Sequence, residues 1–322
     1  MKVSLIIPVY NAEHCLPEAL KALSAQTFRD FEVVFADDAS TDGSAALLKS
    51  FCAGSGLPCK LIRARENGGA AAARNLALEA AEGEFLAFAD ADDLLVPDCL
   101  EKAVAAAGEA DIVGWECKWG LSENARQIRQ ADYQTAEEAL LNLTGGTMRW
   151  NLWLFLVRRS LVEKNAIRFI PGADMGEDMQ FMLRAFLKAG SVVQLHEALY
   201  RYNSNSTTSI SREFSDLRRS QIETNLAAVE ECFAESDFGK KHPMALTDLK
   251  LFLKRPLLIS SRKEDYELWY RWFPEANERA RERGSLPVYT YVLQKMAAGR
   301  CWAGVRLYYA LVHQMALKLL YR

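Results

Sequence analysis

The first 115 residues alternate between short apolar runs and segments with helical spacing of their apolar positions. The apolar runs predict buried strands at residues 3–9, 31–36, 60–64, 85–89 and 111–115. Between the strands, apolar side chains recur three and four positions apart, which predicts helices at residues 13–25, 43–51, 70–81 and 97–107. This strand–helix repetition predicts an open α/β sheet with right-handed crossover connections.

The pattern is less regular beyond residue 118. It predicts a short helix at residues 136–142, a strand at 150–159, a long helix from 176 and a strand at 191–202. A polar segment follows that strand, and we expect the first domain to end there, at residue 208. Residues 209–322 are mostly helical by periodicity and are expected to form a C-terminal helical region.

Three carboxylates follow the predicted strand at residues 85–89. Asp90 and Asp92 lie two positions apart, so both project to the same side of an extended chain, and Asp93 is expected on the side of the following helix. Ligands of parallel sheets bind beyond the carboxyl ends of the strands, and two adjacent anions favour a divalent cation between them. The alternative is a polar loop that caps the next helix.

Composition narrows the class of protein. The chain has 322 residues and a net charge of −3, which gives no support for a nucleic-acid partner. Its seven cysteines lack the spacing of a zinc site, so free thiols and a cytoplasmic location are expected. We find no secretory signal and no apolar stretch of the ~20 residues that cross a bilayer.

The segment at residues 301–322 has a wide apolar face, several tyrosines and basic residues without one acid. This composition suits a helix lying in a membrane interface, here the inner face of the membrane. A C-terminal helix docked on the domain, with its basic residues in water, explains the pattern equally well.

Five motifs appear in order along residues 1–208. They are Ser4-Leu-Ile-Ile-Pro-Val-Tyr-Asn11, Asp37-Asp38-Ala-Ser-Thr-Asp-Gly-Ser44, Glu66-Asn-Gly-Gly69 with Ala73-Arg-Asn75, Asp90-Ala-Asp-Asp93 and Glu177-Asp178. Together they resemble the family 2 glycosyltransferases of GT-A fold, a Rossmann-like mixed α/β sheet flanked by helices. Two departures stand out: Ala39 replaces a common Gly, and the Gln-x-x-Arg-Trp motif of processive members is absent.

The resemblance implies an inverting glycosyltransferase that moves a sugar from a nucleoside-diphosphate sugar. It favours UDP as the nucleotide of this donor. The acceptor would be a hydroxyl of a saccharide or lipid-linked molecule in surface polysaccharide or glycolipid synthesis. It also implies a Mg²⁺ or Mn²⁺ ion, because oxygen ligands and a phosphate suit both.

The same resemblance assigns the nucleoside site to the first turn of the sheet. Pro8, Val9, Tyr10 and Asn11 would border the base and the ribose, and Glu13 would touch the nucleoside.

Further donor contacts are implied downstream. Asp38 would accept a hydrogen bond from the base, and Arg74 would face the diphosphate. The loop with Asn67 and Gly69 would let the backbone approach the diphosphate at a helix N-terminus, where negative charge is favoured.

The acidic motif after the fourth strand is implied to hold the metal. Asp92 would be the direct ligand, and Asp90 would lie nearer the ribose or a metal-bound water, with Ala91 between them in the donor site.

Asp178 matches the position of the catalytic base and Glu177 its acidic neighbour. The alternative is that both residues cap the helix they begin, where acidic side chains are common.

Two residues are candidates for acceptor binding. Trp153 could stack on a sugar, although a core position is the simpler reading. Arg201, with residues 206–209, could fold over the diphosphate, or the segment could be a solvated linker.

Two other functions fit the motifs less well. A sugar-1-phosphate nucleotidyltransferase begins with a Gly-rich loop and an Arg, whereas this first strand runs into Pro-Val-Tyr-Asn. A non-catalytic sugar-nucleotide-binding module would not need the intact acids at Asp38, Asp90, Asp92 and Asp178.

Overall fold

The computed structural model describes residues 1–204, 215–282 and 288–313. Strands β1 to β9 are, in chain order, Val3–Val9, Phe31–Asp37, Cys59–Arg63, Phe85–Phe88, Leu94–Leu95, Ile112–Trp119, Arg126–Ile128, Phe155–Arg158 and Val192–Tyr202. Helices α1 to α13 are Leu16–Ser24, Ser44–Gly54, Gly69–Ala80, Cys99–Ala107, Ala136–Gly145, Arg159–Lys164, Glu177–Lys188, Asp216–Glu235, Asp237–Lys241, Ala245–Lys254, Lys263–Arg271, Val288–Ala298 and Trp302–Tyr308. Short 3₁₀ turns lie at Leu152–Leu154, Arg255–Leu258, Pro274–Asn277 and Arg279–Arg281, and a π turn at Tyr309–His313.

The nine strands form one mixed sheet in the order β3-β2-β1-β4-β8-β6-β9-β5, with β7 paired to β6. β1, β2, β3 and β4 are mutually parallel where they pair, whereas β8 runs antiparallel to both β4 and β6. The predicted α/β sheet is therefore confirmed.

Central strands are buried along nearly their whole length. Every residue of β2 and β4 is buried, and β1 is half-buried only at Pro8. Continuous apolar strands of this kind require cover on both faces of the sheet. Below Phe88, for example, the rings of Phe169 and Phe181 pack edge-on at 6.2 and 5.5 Å.

Because β1, β2 and β4 run in the same direction, their carboxyl ends meet at one edge of the sheet. The segments that follow these ends are the first turn at Tyr10, the acids at Asp37 and Asp38, and the acids from Asp90 onwards. The topology thus brings three of the sequence motifs to one edge.

Two local predictions were wrong. The segment at residues 150–159 is not one strand, because Leu152–Leu154 forms a 3₁₀ turn before β8 begins. The thiols are not all free either: Cys52 and Cys59 form a disulfide, since the loop between α2 and β3 returns their Cα atoms to 5.3 Å.

The chain forms two compact units. One comprises Met1–Leu140 with Arg149–Cys232, and the other Leu141–Met148 with Phe233–Arg322. In the first unit, Asn225 of α8 donates hydrogen bonds to the carbonyls of Ala173 and Met175 at 2.7 and 3.0 Å. The domain boundary predicted at 208 lies outside the described residues and stays a prediction.

The second unit buries the amino group of Lys254, and desolvation lowers its pKa to about 7. Lys254 donates to the carbonyls of Trp272 and Phe273 and to Oδ1 of Asn277, and its Nζ lies 4.1 Å from the Trp269 ring centroid. These acceptors satisfy the ammonium group, which burial would otherwise destabilise. Among the described residues, no helix is long and apolar enough to span a bilayer.

Candidate active site

Arg74 is the buried centre of the site. Its Nη1 lies 2.9 Å from Glu177 Oε1 and 3.6 Å from Asp178 Oδ1, and its Nη2 lies 3.1 Å from Asp90 Oδ1. Only 6% of the Arg74 side chain is exposed, whereas Asp90 is 34% exposed. The residue that the resemblance places against the diphosphate therefore makes ion pairs with the acids from β4 and α7.

This cluster has more acids than cations. Desolvation raises the pKa of Asp90 to about 6 and that of Glu177 to about 8, although Arg74 opposes both shifts. Desolvation also raises the pKa of Asp178, again against the charge of Arg74. Three carboxylates around one buried guanidinium favour uptake of a proton or of a further cation.

Asp178 faces this cluster from the first turn of α7. Its Oδ2 accepts a hydrogen bond from the Leu152 backbone N–H at 3.3 Å, and its Oδ1 is buried without a hydrogen bond in the described part of the chain. Gly176 precedes the helix in the left-handed region, at φ 85°. Asp178 therefore lies beside Arg74 at the start of α7, and its role as the catalytic base stays a prediction.

Asp93 has a structural role that the sequence did not reveal. The Tyr200 hydroxyl donates to Asp93 Oδ2 at 2.8 Å and accepts from the Asp90 N–H at 3.1 Å, and the Asn203 N–H donates to Asp93 Oδ1 at 2.6 Å. Burial raises the pKa of Asp93 well above its ordinary value. Asp93 is thus not a helix-side acid as expected, because it fixes the acidic turn against β9.

The first turn of the sheet is linked to the turn after β2. Asn11 donates from its N–H to Ser40 Oγ at 3.0 Å, and its Oδ1 accepts from the Thr41 N–H at 2.8 Å. Glu13 Oε2 accepts from the Gly43 N–H at 2.7 Å. Asn11 and Glu13 therefore order these loops, and Tyr10 is left with half of its surface exposed.

The other two residues of that turn differ in accessibility. Pro8 is half-buried and Val9 is buried at the end of β1, where the Val9 carbonyl accepts from the Asp38 N–H at 2.8 Å. Of the two, Pro8 alone has surface to offer a ligand.

Asp38 binds the glycine loop. Its Oδ1 and Oδ2 accept from the Gly68 and Gly69 N–H groups at 2.8 Å each, and its carbonyl accepts from Asn67 Nδ2 at 3.4 Å. Asp174, which sequence reasoning missed, accepts from the Ala71 N–H at 2.8 Å.

This arrangement changes the expected role of Gly69. The Asp174 carboxylate occupies the place where a Cβ on Gly69 would lie. The N–H groups at the N-terminus of α3 donate hydrogen bonds to protein carboxylates. No local signal marks Asp174, because its contact joins residues 103 positions apart.

Ala39 adopts φ 58°, a left-handed conformation that L side chains disfavour. This geometry explains why Gly is common at the position, where this chain departs from the family pattern by having Ala39.

The two acceptor candidates, Trp153 and Arg201, are largely enclosed. Trp153 is 3% exposed and stacks on Tyr200 with a centroid separation of 4.5 Å, which favours the core reading. Arg201 donates to the Leu121 carbonyl at 3.2 Å and keeps 24% of its side chain exposed. Their acceptor roles stay predictions, and the loop at residues 206–209 lies outside the described residues.

The carboxylate side chains of the acidic turn are chemically suited to bind a divalent cation. Asp90 and the half-buried Asp92 are hard oxygen ligands, and Ala91 separates them. Desolvation raises the pKa of Asp90, and the charges of Asp178 and Asp92 raise it further. In the described ranges, no group of three or more acid, His or Cys side chains is arranged as a ligand set. Mg²⁺ and Mn²⁺ need no more than one or two carboxylates when phosphates and water supply the rest.

Comparisons with known proteins agree with the fold and the motifs. Residues 4–172 match the family model described as glycosyl transferase family 2. EpsH of Bacillus subtilis, provisionally described as a glycosyltransferase, is 32% identical over 242 residues, 71% of this chain and 69% of EpsH. The poly(ribitol-phosphate) β-N-acetylglucosaminyltransferase TarS of Staphylococcus aureus is 33% identical over 208 residues, 63% of this chain and 35% of TarS.

Solved structures share the architecture. The crystal structure of residues 1–349 of TarS with UDP-GlcNAc superposes with a TM-score of 0.73 at 22% identity, covering 98% of this chain and 92% of that one. The mannosyltransferase PcManGT from Pyrobaculum calidifontis, in complex with GDP-Man and Mn²⁺, gives 0.56 at 20% identity, with 96% and 85% covered. The predicted GT-A fold is thereby confirmed.

Proposed function

Since the chain belongs to glycosyl transferase family 2, we propose that it is an inverting enzyme that transfers a sugar from a UDP-sugar to a hydroxyl group. The acceptor is a saccharide or lipid-linked molecule of surface polysaccharide or glycolipid synthesis. One observation carries this proposal. Asp178 and Asp90 are distant in the sequence, yet both lie within ion-pair distance of Arg74. A carboxylate for the acceptor and a carboxylate for the donor thereby share one site.

The acceptor side of the reaction needs a base. Asp178 lies at the start of α7, and one of its oxygens has no hydrogen bond in the described part of the chain. This carboxylate takes the proton as the hydroxyl attacks. Attack from the face opposite the leaving nucleotide inverts the anomeric centre. General base catalysis of this kind contributes about 10²–10⁴ in rate.

On the donor side, Asp92 and Asp90 would hold Mn²⁺ or Mg²⁺. When bound there, such an ion would supply positive charge to offset the negative charge on the leaving diphosphate. Tyr10 and Pro8 offer the surface at the first turn for the nucleoside, while Asn11, Glu13 and Asp38 fix the loops around it. Arg74 orients Asp90 through their ion pair and opposes its protonation.

A thermal-shift screen of nucleotide sugars with Mn²⁺ tests this function, since a ligand that binds only the native state raises the apparent stability. We expect a UDP-sugar to raise the Tm, and EDTA to remove most of the shift. Asp92→Ala should lose metal-dependent transfer by about 10²-fold or more, because charge on the leaving diphosphate is no longer neutralised.

Asp98→Ala is the matched control, because this acid pairs with Lys102 on α4 away from the turn. Metal-independent transfer at the parental rate in Asp92→Ala contradicts the metal assignment, and a screen without any nucleotide-sugar response contradicts the function.

A peripheral contact with the inner face of the membrane is part of the proposal. The last described helical segments expose apolar side chains, with Leu307 60% and Leu311 52% exposed. Such residues beside Arg306 suit the interface of an anionic bilayer.

Replacing Leu307 and Leu311 together by Gln is expected to lower the fraction that co-sediments with anionic phospholipid vesicles by about fivefold, because two apolar anchors are lost. The control is Leu217→Gln on α8, which is 69% exposed in the other unit. Equal co-sedimentation of the double variant and the control refutes the membrane contact.

A further inference from the structure

An exposed aromatic ring lies where β6 and β9 end and β7 begins. Trp119 of β6 is the register partner of Tyr202 on β9 and of Arg126 on β7. Register partners on adjacent strands carry side chains on the same face, so the three residues form one row across the sheet. Trp119 keeps 41% of its surface exposed, unlike Trp153, which is buried. Its ring therefore offers a flat apolar surface to a ligand.

A continuous aromatic stack joins this ring to the candidate active site. Trp119 lies 4.6 Å from Tyr202, Tyr202 lies 5.7 Å from Trp153, and Trp153 lies 4.5 Å from Tyr200, all between ring centroids. The hydroxyl of Tyr200 contacts the Asp90 N–H. The exposed ring is thus the outer end of a row that begins at the acidic turn, the position expected for a substrate that extends away from the reacting centre.

Two exposed arginines flank the ring. The Arg149 guanidinium carbon lies 5.3 Å from the Trp119 ring centroid, and Arg126 stands opposite Trp119 in the strand register. Among the described residues, no carboxylate lies within 4.0 Å of either guanidinium group. Guanidinium groups that pair with no carboxylate of the described residues are available for the bidentate binding of phosphate or carboxylate groups.

We propose that Trp119, Arg126 and Arg149 form an acceptor subsite for a saccharide or polyol chain that carries phosphate or carboxylate groups. The aromatic ring stacks on the apolar face of one unit of the chain, and the two guanidinium groups bind its anions. A neutral acceptor would account for the ring but not for the pair of arginines. The inference rests on the proposed transferase function, since it assigns the acceptor of that same site.

Ligand-observed NMR titrations test the subsite with the full chain in the presence of UDP and the diamagnetic ion Mg²⁺. The probes are a glycerol phosphate oligomer, an oligogalacturonate and the neutral maltohexaose, matched in length. We expect an anionic probe to bind at least about tenfold more tightly than maltohexaose. Trp119→Ala and Arg149→Gln should each weaken that binding by about tenfold, and Trp119→Phe, which keeps a ring, should weaken it less.

Arg29→Gln is the matched control. Arg29 is also exposed and lies just before β2, at the amino ends of the parallel strands. The Arg29→Gln variant should bind the probes as the parent does. This result would distinguish a local site from general charge attraction. Binding of the phosphate probe alone or of the carboxylate probe alone supports the subsite and identifies the anion.

The inference is overturned if maltohexaose binds as tightly as the anionic probes, if no probe binds, or if Trp119→Ala and Arg29→Gln have the same affinity. UDP-sugar binding by the unaltered protein is measured first. Its absence contradicts the proposed function, whereas a protein that binds the donor but no anionic chain contradicts this inference alone.

Discussion

Asp178→Asn is expected to lower the rate of sugar transfer by about 10³-fold while the affinity for the nucleotide sugar changes by less than about twofold. The amide keeps the size of the side chain and can still face the Leu152 N–H, but it cannot take a proton from the acceptor hydroxyl. Steady-state rates at saturating donor and acceptor, with the donor Kd from calorimetry, measure the two effects separately.

The pKa values of Asp178 and its neighbour Glu177 are affected by different charges. Desolvation and the Asp178 charge raise the pKa of Glu177 to about 8, whereas the Arg74 charge opposes the rise in the pKa of Asp178. Because desolvation nevertheless raises the pKa of Asp178 above 3.8, transfer should fall as the pH decreases through a value above 3.8. The base is then protonated and inactive.

Two variants serve as controls. Glu177→Gln can still donate a hydrogen bond and should lose less activity than Asp178→Asn. Glu163→Gln alters an exposed acid that pairs with Arg168 and should behave as the parent does. A parental rate for Asp178→Asn would leave this residue only its role at the start of α7.

Arg74→Ala is expected to destabilise the protein by about 3–5 kcal/mol at pH 8, because it leaves buried carboxylates without their cation. Arg74 is 6% exposed, and its guanidinium contacts Glu177 and Asp90 directly. Urea unfolding at fixed pH measures the loss as a lower midpoint with an unchanged slope.

The pH dependence of that loss has a definite sign. Without Arg74, the pKa values of Asp90, Glu177 and Asp178 rise further above their values in the unfolded chain. Stability is then lost as the pH rises past the unfolded values, because the unfolded carboxylates ionise and the folded ones resist ionisation. The variant should therefore lose less stability at pH 5 than at pH 8.

Arg74→Lys and Arg168→Ala complete this test. Lys keeps the charge without the two-pronged geometry, so an intermediate loss is expected. Arg168 pairs with Glu163 at the surface, and its removal should cost no more than about 1 kcal/mol. An Arg74→Ala variant as stable as the parent at pH 8 would mean that the cluster does not hold the site together.

Local pattern was enough to predict the strands that build the site. β1, β2 and β4 are apolar at nearly every position because both of their faces are covered, and acids follow β2 and β4 where the chain leaves the sheet. Periodicity also placed α3 and α7 within a few residues. It failed at residues 150–159, where an apolar run could be a strand or a turn, since hydrophobicity alone does not separate them.

The motifs identified in the sequence supplied the residues of the site but not their contacts. Arg74 faces Glu177, Asp38 holds Gly68 and Gly69, and Asp174 reaches the start of α3. Each contact joins residues at least 30 positions apart, and in two of them more than 100. Periodicity describes neighbours in the chain and carries no information on such pairs.

The sequence by itself thus determined the strands, the helices and the carboxylates at the edge of the sheet, because these depend on local spacing and on burial of apolar side chains. The tertiary structure alone decided which carboxylates share Arg74, that Asp93 binds Tyr200, and that Trp119 stays exposed beside Arg149. The physical reason is that the charge state and accessibility of a side chain depend on the neighbours that folding brings to it.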